Sequence, residues 1–305
     1  MPRHRRAPHV HKFGGASLAD SAAVRRAVEI IQSHRPEPTV VVVSAMAGVT
    51  DALLAVAQQA ASGDERALAQ LIGQLRSRHS EVARALLPAG RGRAAMLAHI
   101  AEVFQELEAL ASGLRRLREL TPRTNDFVIS RGERLSARLF AAALDASGTR
   151  AKYIDAVDVV HTDEAFGQAA PDYTRTDRAA HRILSPMIAR GIVPVLPDFL
   201  GATPSGEVAT LGRGGSDLTA TLLARALSAQ RVSLWKDVPG LLTADPRVVP
   251  DARVIPQLHA REAAELAYYG AKVLHPRALI PLAGRRISIY VRPFEDPESP
   301  GTEVS

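Results

Sequence analysis

The sequence predicts an α/β fold built on a mainly parallel sheet. Short apolar segments typical of strands alternate with helical patterns along the chain. One of these segments, residues 39–43, is a run of threonine and valine that indicates a strand buried on both faces, as in parallel sheets. Small residues and glycines follow several of the segments and lead into helices, which is the order expected of strand–loop–helix units.

The first part of the chain contains two such units, followed by a long helical region. A strand is predicted over 10–13, before a pair of glycines and a helical pattern; the strand 39–43 leads into a helix from about Asp51. Residues 64–120 are predicted to be mostly helical, with a break at 88–92. Four leucines near the end of this region recur at spacings of 3, 4 and 3, which indicates a buried helical stripe; a short coiled coil is the alternative.

The rest of the chain continues the alternation. Strands are predicted within 125–130, 151–160, 192–196, 232–235 and 287–291, the last being the final strand, and helices over 132–144, 178–189, 218–227 and 261–266.

Composition excludes several classes of protein. The chain has 305 residues, of which 46% are hydrophobic and 23% charged, as is typical of globular proteins. It contains no cysteine, which excludes thiolate metal sites and cysteine nucleophiles. No apolar run reaches the roughly 18 residues of a membrane span, and no signal-peptide pattern follows the N-terminus. We therefore expect a cytoplasmic protein with no membrane partner, with a basic tail over 1–9 and one domain over 10–305.

The charged residues indicate which partners and which chemistry to expect. The formal net charge is +6, but half of it lies on three arginines of the tail, and no RNA-binding or zinc pattern is present, so we expect no nucleic-acid partner. Lysine is rare, because the 38 basic residues include only four lysines. Three of them, Lys12, Lys236 and Lys272, lie in distinctive segments. Since a lysine ammonium is a compact charge suited to phosphate oxygens, these three are candidates for chemistry.

Lys12 opens the segment Lys-Phe-Gly-Gly-Ala-Ser at the end of the first predicted strand. Gly14 and Gly15 allow a phosphate to approach backbone N–H groups, and the following helix start favours an anion. The segment is not a Walker A loop, and a plain tight turn is the alternative.

Two further segments place polar groups at helix starts. Residues 43–51 carry Ser44 and Thr50, whose hydroxyls can hold a carboxylate or a phosphate; simple helix capping is the alternative. Residues 130–136 carry Glu133, which can hold a substrate ammonium or merely complement a helix dipole.

The glycine-rich segment 210–220 is the most telling. Its glycines expose backbone donors, Arg213 can grip a carboxylate with two hydrogen bonds, and Asp217 can bind an amine. A capped helix start after a flexible loop is the alternative, although so many glycines cost stability in a purely structural element.

The segment 235–247 suits a nucleotide polyphosphate. It follows a predicted strand, is rich in turn residues, and carries Lys236, Asp237 and Arg247. Lys272 follows in the segment Gly-Ala-Lys-Val-Leu-His-Pro, where the histidine is expected to be structural.

Together, these segments resemble the motifs of the aspartate kinases, in the amino-acid kinase superfamily. The matching segments are KFGGAS, VSAMAGVTDALL, SRGERLSARL, TLGRGGSDLTA, DVPGLLTADPRVVPDARVI and GAKVLHPRAL, in the family's order and covering residues 10–304. The resemblance implies an eight-stranded, mainly parallel sheet between helices, with the amino-acid substrate held mainly by 10–220 and the nucleotide mainly by 221–305. It implies transfer of the γ-phosphoryl of ATP to the β-carboxylate of L-aspartate, with Mg²⁺ carried mainly by the phosphates. The product, 4-phospho-L-aspartate, leads toward lysine, threonine and methionine.

The resemblance also implies roles for individual residues. Catalysis falls to Lys12, Gly14, Gly15 and Asp217; substrate binding to Ser44, Thr50, Glu133, Phe199, Arg213, Gly214 and Ser216; and nucleotide binding to Lys236, Asp237, Leu242, Arg247 and Lys272. Arg213 is expected to take the α-carboxylate, and Glu133 and Asp217 the ammonium. No residue is expected to be a dedicated metal ligand.

Four positions depart from the family's pattern. Ala16 stands where threonine or serine is usual, Lys236 where threonine is frequent, and Leu242 where some members have tyrosine. Asp198 replaces a glycine expected before Phe199, which can reshape the substrate pocket. None of these changes removes a charged group that the reaction needs.

The length of the chain and its substrate leave alternatives open. The chain ends where the family's kinase domain normally leads into ACT regulatory domains, so we expect an enzyme without ACT feedback, a fragment, or a kinase with a separate regulatory partner; a homodimer is the family expectation. A related kinase acting on glutamate or acetylglutamate is one alternative, although an acetylated substrate brings no ammonium to Glu133 and Asp217. A non-catalytic regulatory subunit is another, against which Lys12 and Asp217 argue.

Overall fold

The computed structural model describes residues 7–62, 65–269 and 273–305. The strands within these ranges are β1 His9–Phe13, β2 Thr39–Val43, β3 Ala151–Tyr153, β4 Val193–Pro197, β5 Leu200–Ala202, β6 Val208–Thr210, β7 Arg231–Lys236, β8 Gln257–Leu258, β9 Ser288–Pro293 and β10 Thr302–Val304. The helices are α1 Ser21–Ser33, α2 Val49–Ser62, α3 Glu65–Leu86, α4 Arg91–Leu117, α5 Pro122–Ala146, α6 Tyr173–Ala189, α7 Gly215–Ala226 and α8 Ala260–Tyr268. Among the helices of the described ranges, none is both long and apolar enough to cross a bilayer.

Eight strands form one sheet in the order β3-β4-β2-β1-β7-β9-β10-β8. Neighbouring strands are parallel except β9 and β10, which are antiparallel, so the predicted eight-stranded, mainly parallel sheet is confirmed. Strand β1 lies near the centre, with Phe13 opposite Val43 on one side and Trp235 on the other. The remaining strands, β5 and β6, form a separate antiparallel hairpin.

The alternation of side chains in the central strands builds one core on each face of the sheet. In β2, Val41 and Val43 join the core shared with α1 to α5, whereas Val40 and Val42 join the core shared with α6 and α7. Because both faces are covered, a continuous valine strand is stable here, as the sequence indicates.

One predicted strand is wrong. Residues 125–130 lie inside α5, which begins after Thr121, whose hydroxyl accepts a hydrogen bond from the Thr124 N–H, and has Pro122 in its first turn. A capped start with proline at the first helical position favours the helix over the local run of β-formers.

The ends of the chain also differ from prediction. Strand β1 begins at the buried residue His9, which was assigned to the tail, whereas residues 1–6 lie outside the described ranges. Strand β10 follows the segment predicted to be the last strand, and β5, β6 and β8 were not predicted. These strands have only two or three residues, too few to show the alternation of apolar and polar residues that is typical of a strand.

The leucine stripe of α4 is buried at Leu107 and Leu114 and becomes exposed at Leu117.

Three histidine rings, those of His9, His11 and His34, pack together beside β7. Arg231 Nε donates to His9 Nδ1 at 3.3 Å, and Trp235 Nε1 donates to His11 Nδ1 at 3.3 Å. A nitrogen that accepts a hydrogen bond carries no proton, so these two contacts place the proton of each neutral ring on Nε2. Burial, followed by Arg231, lowers the pKa of His9 to about 2.

Acid should destabilise the fold through His9. The folded protein resists protonation of this ring down to about pH 2, whereas the unfolded chain takes up the proton near the ordinary pKa of 6.5. Stability is therefore lost as the pH falls below 6.5, by about 1.4 kcal/mol per pH unit for this group. We expect His9→Asn to reduce the slope of unfolding free energy against pH by about that amount between pH 6 and 4, measured by urea denaturation. An unchanged slope would contradict the assignment.

Candidate active site

The carboxyl ends of β1, β2, β4 and β7 lie along the same edge of the sheet because these strands are parallel. Helix α7 begins after the glycine-rich loop, and its first turn carries Asp217, which pairs with residues of β1 and β7. Ligands of α/β proteins commonly bind at such an edge. The polar groups predicted from separate segments are brought together here.

Lys12 is the centre of the cluster. Its side chain is buried, and its Nζ lies 3.4 Å from Asp217 Oδ1 and 3.7 Å from Asp198 Oδ2. Burial alone would lower its pKa, but the carboxylates of Asp217 and Asp198 outweigh burial and raise it above the ordinary value of 10.5. Lys12 is therefore held as a buried ammonium ion, in contact with Gly14, where an added Cβ would lie 3.5 Å from Nζ.

Asp217 connects the two lysines of the edge. Lys236 Nζ, at the end of β7, lies 2.8 Å from Asp217 Oδ2. Lys12 lies on the opposite carboxylate oxygen, Oδ1. Burial would raise the pKa of Asp217, but Lys12 and Lys236 together lower it. The pairing forms an alternating row of charges: Asp198, Lys12, Asp217 and Lys236.

Glu133 approaches the same edge from α5. Its carboxyl oxygens accept hydrogen bonds from the Ala45 N–H and, at 3.2 Å, from Thr50 Oγ1. Burial, followed by the neighbouring carboxyl of Asp198, raises the pKa of Glu133 well above its ordinary range. The cluster thus contains a carboxyl pair, Glu133 and Asp198, beside a buried ammonium ion.

A cavity of about 270 Å³ opens beside the cluster. The predicted site residues that line it are Gly15, Ser44, Thr50, Glu133, Phe199 and Ser216. Ala45 to Gly48 and Asp51 complete the lining of this cavity. The cavity offers hydroxyl groups, a carboxyl group and an aromatic ring to a small polar ligand.

Phe199 and the glycine-rich loop are held in uncommon backbone conformations. Phe199 has φ 66°, in the left-handed region that a bulky residue seldom adopts, and its N–H donates to Thr219 Oγ1 at 2.9 Å. Gly214 has φ 76°, and a Cβ added there would lie 2.4 Å from the His275 ring. Glycine adopts such a φ without strain, whereas the conformation of Phe199 is strained. Strain at a bulky residue persists where the surrounding structure enforces it and is concentrated at functional sites.

Some of the predicted residues lie outside this cluster. Arg213 is exposed, at the entrance of α7. Asp237, Leu242 and Arg247 belong to the segment after β7; Asp237 and Arg247 are exposed, and the guanidinium of Arg247 binds the carboxylate of Asp245. Lys272 lies outside the described residues.

Sequence reasoning missed two arginines that hold the loops of this edge. Arg78 of α3 donates to the backbone carbonyls of Ala47 and Ala19, at 2.7 and 2.9 Å, and so joins the loops after β2 and β1. Arg277 donates to Leu211 O at 2.6 Å and thereby supports the glycine-rich loop. Both act through backbone carbonyls, which leave no sequence pattern.

Comparison with known proteins agrees with this geometry. The family model for the amino acid kinase family matches residues 8–293. The chain belongs to this family. It is 37% identical over 97% of its length to lysine-sensitive aspartokinase 3 of Escherichia coli, of which it covers 63%, and 35% identical to aspartokinase 1 of Arabidopsis thaliana, of which it covers 52%.

The fold agrees equally closely with a solved aspartokinase. The crystal structure of E. coli aspartokinase III in complex with aspartate and ADP superimposes with a TM-score of 0.88 at 36% identity, covering 97% of this chain and 64% of that one. The chain thus spans between about half and just under two thirds of these relatives' length.

Substitution at Gly214 tests how tightly its loop is packed. We expect Gly214→Ala to lower the free energy of unfolding by about 1–3 kcal/mol more than Gly148→Ala, because only the former drives a Cβ into His275. Gly148 is the matched control, since it also has a positive φ, of 90°, but open space around it. Denaturant unfolding of both variants measures the difference; equal losses would show that the loop tolerates the added methyl group.

Proposed function

We propose that this protein transfers the γ-phosphoryl group of ATP to the β-carboxylate of L-aspartate and forms 4-phospho-L-aspartate. The observation that carries the proposal is the buried Lys12 ammonium paired with Asp217 beside a polar cavity at the carboxyl edge of the sheet. The similarity to E. coli aspartokinase III, whose structure holds aspartate and ADP, supports the same reaction. The product would supply the routes to lysine, threonine and methionine.

The proposed acceptor site combines an anion-binding and a cation-binding part. Arg213 would take the α-carboxylate of aspartate, while Glu133 and Asp217 would take the ammonium group. Thr50, Ser216, the hydroxyl of Ser44 and the ring of Phe199 would complete the pocket, with the glycine-rich loop at Gly214 shaping it.

The nucleotide would lie toward β7. Lys236, Asp237, Leu242, Arg247 and Lys272 would contact it, while the backbone N–H groups of Gly14 and Gly15 would approach the phosphates. A magnesium ion would be carried mainly by the phosphate oxygens and would neutralise their charge, because the carboxylate of Asp217 is already compensated by two lysines.

The chemistry requires positioning more than proton transfer. A substrate carboxylate is ionised at neutral pH, since its ordinary pKa is about 3.9, so it can attack without a strong general base. Lys12 would offset the negative charge that develops on the transferring phosphoryl group, in a buried site where such an interaction is strong.

The cellular location and the oligomeric state are proposed from what is expected of the family. We propose a cytoplasmic enzyme that acts as a homodimer. Feedback control, where it exists, would depend on a regulatory domain or on a separate regulatory subunit.

An acyl-phosphate assay tests the proposed reaction. The protein would be incubated with Mg·ATP and L-aspartate, L-glutamate or N-acetyl-L-glutamate, and the acyl phosphate trapped with hydroxylamine. We expect a hydroxamate with aspartate alone. Hydroxamate formation with another acid would overturn the assignment. So would its absence with all three acids when ATP is bound.

Lys12→Ala should lower kcat by at least about 100-fold and change KM for either substrate much less. The reason is that the contact of Lys12 strengthens in the transition state. Lys152→Ala, at an exposed lysine of β3, is the control and should be fully active. A loss confined to KM would exclude the proposed role.

Arg213→Ala should weaken aspartate binding about tenfold or more, because a charged hydrogen-bonding partner of the α-carboxylate is lost. Binding of ATP, measured by calorimetry, should change little, as it should in the exposed-residue control Arg182→Ala. If ATP binding were lost instead, the assignment of the two lobes would be incorrect.

A further inference from the structure

Asp198 belongs to the Lys12 cluster, yet the proposed reaction assigns it no role. The residue directly follows β4 and is completely buried, and its N–H donates to Val43 O at 2.9 Å. Its Oδ2 accepts from Ser44 Oγ at 2.5 Å and lies 3.7 Å from Lys12 Nζ, while its Oδ1 has no hydrogen-bond partner. A buried carboxyl group therefore lies directly behind the cavity and contacts residues that the acceptor needs.

The contact with Ser44 diverts a hydrogen-bond donor. A serine hydroxyl carries a single proton, and here that proton points at Asp198 Oδ2. Ser44 also lines the cavity, so it presents only oxygen lone pairs to an incoming ligand. A carboxylate oxygen that entered the cavity would be repelled by these lone pairs unless Ser44 gave up its present partner.

The contact with Lys12 offsets a positive charge. Lys12 already has one carboxylate partner, Asp217, at 3.4 Å, and Asp198 supplies a second one. In a buried site the two anions together compensate the ammonium charge, so less of it remains to attract a phosphoryl or carboxylate oxygen.

The carboxyl of Asp198 also influences Glu133, at the opposite end of the acceptor. After burial, the carboxyl of Asp198 is the largest cause of the raised pKa of Glu133. A higher pKa disfavours the ionised form of Glu133, which is the form that attracts an ammonium group. Asp198 thus acts on two groups of the acceptor pocket, Ser44 and Glu133, and on Lys12, which is assigned to the phosphoryl group.

We infer that Asp198 is an internal competitor of the reacting groups: it weakens binding of the acceptor's reacting carboxylate by occupying Ser44, and it weakens the attraction of Lys12 for the phosphoryl group. The identity of the acceptor rests on the proposed function; the competition itself rests on the contacts of Asp198. A bound acceptor must reclaim Ser44, and a bound γ-phosphate must compete with Asp198 for Lys12, so the residue at position 198 affects the affinity for both. If Asp198 instead bound the substrate ammonium group, its removal would weaken acceptor binding.

Two variants and one control test whether Asp198 weakens or strengthens acceptor binding. Asp198→Asn keeps the size of the side chain and removes its charge, whereas Asp198→Gly removes the contacts with Ser44 and Lys12 together. Asp177→Asn is the control, because Asp177 pairs with Arg225, at 2.6 Å, and contacts no residue of the Lys12 cluster. Thermal melts of all forms establish that each variant is folded before binding is measured.

The acceptor measurement is the titration of L-aspartate, by calorimetry, into protein saturated with a magnesium complex of a non-hydrolysable ATP analogue. We expect Asp198→Gly to bind at least about tenfold more tightly than the unchanged protein, with Asp198→Asn between them and Asp177→Asn unchanged. Equal or weaker binding by both Asp198 variants would overturn the inference.

A nucleotide measurement separates this inference from the proposed function. The affinity ratio between the ATP analogue and ADP reports how strongly the γ-phosphate is held, and it needs no acceptor. If aspartate binds to none of the proteins, the proposed function fails, and the ratio then decides the inference. A ratio that rises several-fold in Asp198→Asn supports competition for Lys12, and an unchanged ratio overturns it.

Discussion

The buried ammonium of Lys12 is the interaction on which the arrangement of this site depends. An unpaired charge of this kind is costly to bury, so the fold must supply anions at a fixed place. It does so from two directions, with Asp217 on the first turn of α7 and Asp198 at the end of β4. Removing Asp217 would leave Lys236 without its partner and Lys12 with Asp198 alone, which ties the position of α7 to the edge of the sheet.

The parallel sheet explains why residues far apart in sequence can serve one site. Parallel strands direct all their carboxyl ends to one edge, and the two central neighbours of β1 bring Ser44 and Lys236 there. Helices α7 and α5 add Asp217 and Glu133 from opposite faces of the sheet. Backbone carbonyl contacts from Arg78 and Arg277 then fix the loops, so that the hydroxyls and glycines of the cavity keep their positions.

Much of this could be predicted from sequence, and the failures have physical causes. The strand 39–43 and the site residues Lys12, Glu133 and Asp217 carry local signals, namely a β-branched run and rare charges beside glycines. The helix over 125–130 was missed because a capping threonine and a proline outweigh strand propensity there. The contacts of Asp198 could not be predicted, because a single carboxylate after a strand has no pattern until the fold places Ser44 and Lys12 against it.

The charge state of Lys12 tests the central claim most directly. The chain has only four lysines, so ¹⁵N-labelled lysine gives a simple side-chain NMR spectrum, which lysine-to-arginine variants assign. If Asp217 and Asp198 hold Lys12 as a buried ammonium ion, its resonance should remain that of the charged form beyond pH 10.5. Loss of the Lys12 proton below pH 10.5 would show that burial outweighs the carboxylates, and would contradict the account.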